Sequence, residues 1–313
     1  MTINNASGSA LSSLTLTSTE QANVLGSLVL GASVTTLAIN ASTSLQFGGI
    51  TTSALRTVTV SGTAATVSLD RIGSALTSFD ASGLSAGNVA IILGASPTMN
   101  FVGSAGNDMV QIDAGSLMTG FVNGAGASDV LAMYTGLSLT AATGPRFTNF
   151  EVLRVASTNS SEGQTFDTSF LSGFQTYQIA SGTPRFSLNL NKLANDTSVV
   201  FLGTISNASL GMNDASGSTD SLNVTLGNNV SNTDALTNGI TVTLRAAGVE
   251  TIKLHSVGIA GGMELNILNI DAGTNSTLSK VVIDGTQSIR LQSLASVLAL
   301  TVDASLLTGA LEV

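Results

Sequence analysis

Cysteine and tryptophan are absent from this 313-residue chain, histidine occurs once and proline three times. Without thiols, a disulfide scaffold and any thiolate metal site are excluded. Charge is scarce and lopsided: 10 basic side chains stand against 19 acidic ones, a net of −9, with an isoelectric point near 4.3. That balance argues against a nucleic-acid binder, which needs a basic face for the phosphates. Long apolar runs are missing as well. Val89-Ala90-Ile91-Ile92-Leu93 is typical of the longest, far below the roughly 20 residues that span a bilayer. The amino terminus, Met1-Thr2-Ile3-Asn4-Asn5, lacks the basic start and apolar stretch of a secretory signal. Proline scarcity and sparse glycine exclude collagen.

What is present is apolar but not aromatic. Hydrophobic residues make up 43% of the chain and aromatics only 4%, and the mean hydropathy of +0.41 argues against disorder. The apolar residues recur in a pattern. Leu11-Ser-Ser-Leu14-Thr-Leu16 is followed by Val34-Thr-Thr-Leu37-Ala-Ile39, Leu55-Arg-Thr-Val58-Thr-Val60 and Leu76-Thr-Ser-Phe79-Asp-Ala81, at steps of 23, 21 and 21 residues. The template returns from Phe150, Phe174, Val249, Leu265, Leu278 and Val297. Apolar residues two apart share one face of a strand, and the residue between them faces out. Outward positions carry Thr15, Thr59, Arg154, Gln178, Lys253 and Thr301. Glycine, Ser, Asn or Asp then turns the chain. A short strand and a turn every 21 or so residues describe one coil of a repeat whose core exists only when coils stack. The expected fold is therefore all-β, a parallel β-helix or β-solenoid. Residues 1–182 form its first part, 183–247 follow the template poorly and are expected to form an irregular segment or bend, and 248–313 continue the solenoid.

Aspartate recurs just past the strands, at Asp80, Asp113, Asp167, Asp271 and Asp303, where a carboxylate can accept N–H bonds and start a turn. One stretch is more specific. Gly103-Ser104-Ala105-Gly106-Asn107-Asp108-Met109-Val110-Gln111 matches the nonapeptide G-G-x-G-x-D-x-U-x, with Ser104 in place of the second glycine. Asn123-Gly124-Ala125-Gly126-Ala127-Ser128-Asp129-Val130-Leu131 is a looser copy with one extra residue, and Gly217-Ser218-Thr219-Asp220 a fainter one. Such turns aim carbonyl and carboxylate oxygens inward, and Ca²⁺ takes six to eight of them. Candidate ligands are Gly103, Ala105, Gly106, Asn107, Asp108, Asp113, Gly124, Gly126, Ser128, Asp129 and Asp220, with calcium turns concentrated near 101–131.

On these residues, together with Phe147-Thr-Asn-Phe150-Glu-Val-Leu153-Arg-Val155, Ser218-Thr-Asp220-Ser-Leu-Asn-Val224-Thr-Leu226 and Gly248-Val-Glu250-Thr-Ile252, the chain resembles the RTX-type surface-layer proteins of Gram-negative bacteria. The resemblance covers about half the chain, and there are no tandem nonapeptides. It implies a secreted, calcium-dependent lattice on the cell surface, assembled through contacts between copies of the chain. Anchoring to the outer membrane would reside in parts outside this sequence, which reads as a piece of a longer protein. A secreted calcium-binding adhesin is the alternative. A polysaccharide-degrading β-helix enzyme is a second one, but His255 is the sole histidine, so neither a Ser–His–Asp triad off its position nor an H-E-x-x-H zinc site can form. Paired carboxylates on an outer face remain the one catalytic option. The turn role suits every Asp copy better, so the expectation is a non-catalytic protein.

Overall fold

The structure, a computed structural model, describes residues 2–3, 11–72, 75–93, 98–112, 119–133, 139–155, 163–180, 187–227, 239–258, 265–271, 277–292 and 300–313. It is all-β, 57% strand and 2% helix, with parallel coils stacked as a β-solenoid of about 11 turns. The Asp113 candidate lies outside the described residues. The chain divides into two compact units, Met1–Leu153 with Phe170–Phe174, and Arg154–Ser169 with Gln175–Val313. Among the described residues no helix is long and apolar enough to cross a membrane.

In the first unit each coil contributes strands to two walls. One wall runs Ser13–Ser18, Thr36–Ala41, Thr57–Gly62, Ser78–Leu84, Asn100–Val102, Val122–Asn123 and Phe147–Thr148, every neighbour parallel. The first four are the strands that the template marks. The other wall includes Thr66–Ile72, Asn88–Leu93, Met109–Ile112 and Val130–Met133. Register carries the inward residues directly above one another. Leu37, Val58, Phe79, Phe101, Val122 and Phe147 form one column, each no more than 1% exposed. Phe79 and Phe101 stack with ring centroids 5.1 Å apart. The template's leading apolar residues, Val34, Leu55 and Leu76, are buried at the corners.

The second unit repeats the arrangement. Gly163–Asp167, Ser187–Leu193, Ile205–Met212, Thr241–Arg245, Asn266–Ile270, Ile289–Gln292 and Leu311–Glu312 make one wall. Thr176–Ile179, Thr197–Phe201, Ser221–Leu226, Thr251–Ser256, Lys280–Gly285 and Thr301–Leu307 make the other. Five of these strands fall within 183–247, where the template loses its grip, and they pair in register with strands on either side. The inward alternation persists there in Val199 and Phe201, Leu222 and Val224, and Val242 and Leu244, all buried. The leading apolar residue does not: Asp196, Thr219 and Gly239 stand three positions ahead. Coil length also grows, since Leu222 pairs with Ile252 and Ile252 with Val281, beyond the 21–24 residue step. The copies from Leu265 and Leu278 mark the two walls of one coil, Asn266–Ile270 and Lys280–Gly285, rather than two successive coils.

Stability should follow these columns. Phe79→Ala removes a fully buried ring and its stacking partner's contact, and should cost about 3–5 kcal/mol. Thr59→Ala, on the outward side of the same wall, should stay within about 0.5 kcal/mol. Urea unfolding of the two variants checks the contrast.

Candidate functional site

The turns that resemble the nonapeptide connect the two walls at one corner of the first unit. Turn 103–108 links Asn100–Val102 to Met109–Ile112, and turn 124–129 links Val122–Asn123 to Val130–Met133. Asp108 and Asp129 are buried, 1% and 0% exposed. Both stand one residue ahead of a strand, and Met109 pairs with Val130, so the carboxylates lie in one column. Glu151 stands above them.

Each carboxylate bonds to the backbone of the coil before it. Asp108 Oδ1 accepts the Val89 N–H at 2.6 Å, Asp129 Oδ1 the Asp108 N–H at 2.7 Å, and Glu151 Oε2 the Asp129 N–H at 2.8 Å. A second series points the other way. Asn88 Oδ1 accepts the Asn107 N–H at 2.9 Å and Asn107 Oδ1 the Ser128 N–H at 3.0 Å. At this corner, side chains thus do much of the inter-coil bonding that the main chain does in the walls.

Ser104, the departure from the nonapeptide, is fully used. It is 1% exposed, its N–H donates to Asp108 Oδ2 at 2.6 Å, and its hydroxyl lies 2.6 Å from both Asp108 Oδ1 and the Gly87 carbonyl. One hydroxyl proton serves only one of these two acceptors at a time. Burial pushes the Asp108 carboxyl up, against the opposing bonds from Ser104 and Val89. The Asp129 carboxyl is pushed up to about 7, first by burial and then by the charges of Asp108 and Glu151, with the Asp108 N–H opposing.

The glycines have separate reasons. A Cβ on Gly103 would stand 2.0 Å from the Gly124 carbonyl oxygen and 2.3 Å from Asp108 Oδ2. One on Gly124 would stand 2.1 Å from the Asn149 carbonyl oxygen and 2.6 Å from Asp129 Oδ2. Gly106 is pressed against the Gly87 carbonyl, whereas Gly126 has open space around it. The left-handed conformations of the longer turn fall instead on its neighbours Ala125 and Ala127, at φ 84° and 78°, which costs an L-residue about 1–2 kcal/mol each. The extra residue has displaced glycine from where the backbone needs it.

Asp220, in the second unit, reproduces part of this geometry. Its N–H donates to Glu250 Oε2 at 2.8 Å, and its carbonyl accepts the N–H groups of Glu250 and Thr251. Asp129 makes the same set with Glu151 and Val152. Among the described residues, two buried side-chain oxygens have no hydrogen-bond partner: Asp129 Oδ2 and Asp220 Oδ2. The sequence reading missed Glu151 and Glu250. The signal was available, because each opens the strand one coil after a candidate Asp.

A calcium ion needs unspent oxygens. Asp129 and Asp220 each offer one, buried and free. Asp108 does not, since both of its oxygens are bonded. Asn107 Oδ1 is engaged in the second series, and Ala105, Gly126 and Ser128 are exposed at the turn surface. Among the described residues no three acidic or histidine side chains form a cluster, because the carboxylates stack rather than converge. A cation at Asp129 or Asp220 would therefore complete its shell with main-chain carbonyls. Compared with known proteins, the chain matches no family profile and no curated sequence.

Two outcomes follow from this corner. A folded-state pKa raised from 3.8 to about 7 means that folding favours the protonated Asp129. Its contribution is complete at acid pH and is lost as the pH climbs through about 7. Chelator-treated protein should lose stability over that window in urea titrations, and Asp129→Asn should flatten the profile. Separately, Gly103→Ala and Gly124→Ala should each destabilise by about 1–3 kcal/mol, and Gly126→Ala by under about 0.5 kcal/mol. Ala127→Gly should raise the melting temperature.

Proposed function

We propose that this chain is a structural, non-catalytic part of a self-assembling surface-layer lattice of the RTX type, exported to the cell surface and dependent on Ca²⁺. The observation that carries the proposal is the repeated Asp–Glu step, Asp129 with Glu151 and Asp220 with Glu250, each leaving a buried carboxylate oxygen without a partner. Isolated buried anions are strongly unfavourable. A proton or a cation relieves them, and outside the cell calcium is the abundant oxygen-seeking cation. In this reading Asp129 and Asp220 contribute the charged oxygens, and the turns around Gly124 and Gly217 supply carbonyls.

The non-catalytic part of the proposal rests on how the polar residues are spent. The turn aspartates Asp80, Asp167, Asp214 and Asp303 bond the residue two positions on. His255, an exposed side chain on the outward side of its strand, lies against Asp284 at 2.5 Å, and among the described residues no nucleophile is bonded to it.

Calcium bound only to the folded state adds RT ln(1 + [Ca]/Kd), roughly 2.7 kcal/mol at a hundredfold excess. Calcium should therefore raise the melting temperature relative to chelator, and Asp129→Asn or Asp220→Asn should each shrink the rise. Asp108→Asn should lower the melting temperature with and without calcium alike, because its oxygens are structural. Electron microscopy of the purified chain should show ordered sheets or oligomers with calcium and none with chelator. Monomers in both conditions would count against the lattice, and an unchanged melting curve would remove calcium.

A further inference from the structure

On the outer face of the first unit, four successive coils border a cleft of about 300 Å³. Register places its lining in two columns. Gln46, Ser68, Ala90 and Met109 stand in line across the coils, and Ile92 pairs with Gln111 in a second line. Asp70 joins that second line because the strand Thr66–Ile72 has an extra residue there. Ala90 pairs with Ser68 but Ile92 pairs with Arg71, so the register slips by one between them. A bulge of this kind re-aims a side chain.

Two features mark Asp70 within this cleft. Its φ is 38°, a conformation that L-residues rarely adopt. Its carboxylate is also unspent. Asp80, Asp214 and Asp303 close turns, and Asp271 and Asp284 pair with Arg245 and His255. Among the described residues no hydrogen bond or ion pair engages the Asp70 carboxylate, nor the side chains of Gln46, Ser68 or Gln111. Among the described residues no basic side chain lines the cleft, and Met109 is 39% exposed beside Ile92. Backbone strain at an unengaged carboxylate in a concave site points to a ligand.

We propose that this cleft binds a primary ammonium carried on an unbranched aliphatic stem. Asp70, the one charged side chain among the described lining residues, takes the positive charge. The oxygens of Ser68, on the same strand, and Gln46, one coil away, take the two remaining N–H donors of the three that a –NH₃⁺ group supplies. Ile92 and the flexible Met109 flank the stem, as apolar surfaces do for lysine. Phe47 borders the cleft but is only 1% exposed, so a ligand held by stacking gains little here. The net charge of −9 favours encounter with a cation. The same chemistry is offered by a free polyamine and by a lysine side chain on a partner segment. The inference does not depend on the calcium or lattice reading.

The test is titration of the whole chain, monitored by NMR or calorimetry in chelator, with spermidine in one arm and an acetylated, amidated Ala-Lys-Ala peptide in the other. Saturable binding in the millimolar range or tighter, about 4 kcal/mol or more, is expected in at least one arm, and the stronger arm identifies the source. Asp70→Asn should weaken it at least tenfold. Asp70→Gly should abolish it while the melting temperature holds or rises, since glycine relieves the backbone. Affinity should increase from ethylamine to pentylamine, and Met109→Ser should remove that increase. No saturable binding in either arm, or binding undiminished in Asp70→Gly, overturns the proposal. So would a fall in melting temperature for Asp70→Gly, which would assign Asp70 a structural role.

Discussion

Parallel hydrogen bonding between successive coils is the constraint from which the rest of this protein follows. A strand that pairs in parallel register with the coil before it places each side chain above its counterpart. Position after position must then be filled by residues that tolerate stacking on their own kind. The column from Leu37 to Phe147 satisfies this with aliphatic residues and phenylalanine, and the walls between need only alternate. Tryptophan would be oversized in so narrow an interior, and its absence is in keeping with that. Outward positions are free to carry Thr, Gln, Lys or Arg, because they face water in every coil.

The corner that bears the glycine–aspartate turns solves a different problem. There the chain bends, and main-chain groups must still find partners. Asp108, Asp129 and Glu151 reach back to N–H groups of the preceding coil, while Asn88 and Asn107 receive N–H groups from the following one. The residues that look like a metal-binding motif are therefore first of all structural acceptors. What distinguishes Asp129 and Asp220 from Asp108 is the oxygen left over. The two demands meet in the glycines, since Gly103 and Gly124 have no room for a Cβ beside both the carboxylate and the next coil's carbonyl.

Legibility varied with how local the determining interaction was. The walls through Thr36–Ala41, Thr57–Gly62 and Ser78–Leu84 could be read directly, because a period of two and a buried leading residue recur at near-constant spacing. The strands between 187 and 245 escaped the six-residue template, since Asp196, Thr219 and Gly239 occupy the leading position and the coils there are longer. Ser104 read as a defect in a motif and is a buried, doubly engaged hydroxyl. Glu151 and Glu250 were overlooked because the motif is confined to a single turn, and each of them stands one coil beyond it. Asp70 gave no signal at all, because a bulge depends on the register of the neighbouring strand.

Alternating small aliphatic residues, punctuated by Gly, Ser, Asn and Asp, were enough on their own to determine a stacked, all-β repeat. Side-chain alternation along a strand is a property of adjacent residues and survives any change in coil length. Tertiary structure alone decided which oxygens remain unspent. For Asp108 the partners are Ser104 in its own turn and Val89 a whole coil away, 19 residues back, and for Asp129 the Asp108 N–H, 21 residues back. A carboxylate's chemistry here is set by what lies above and below it, and only the stacking of coils brings those neighbours into reach.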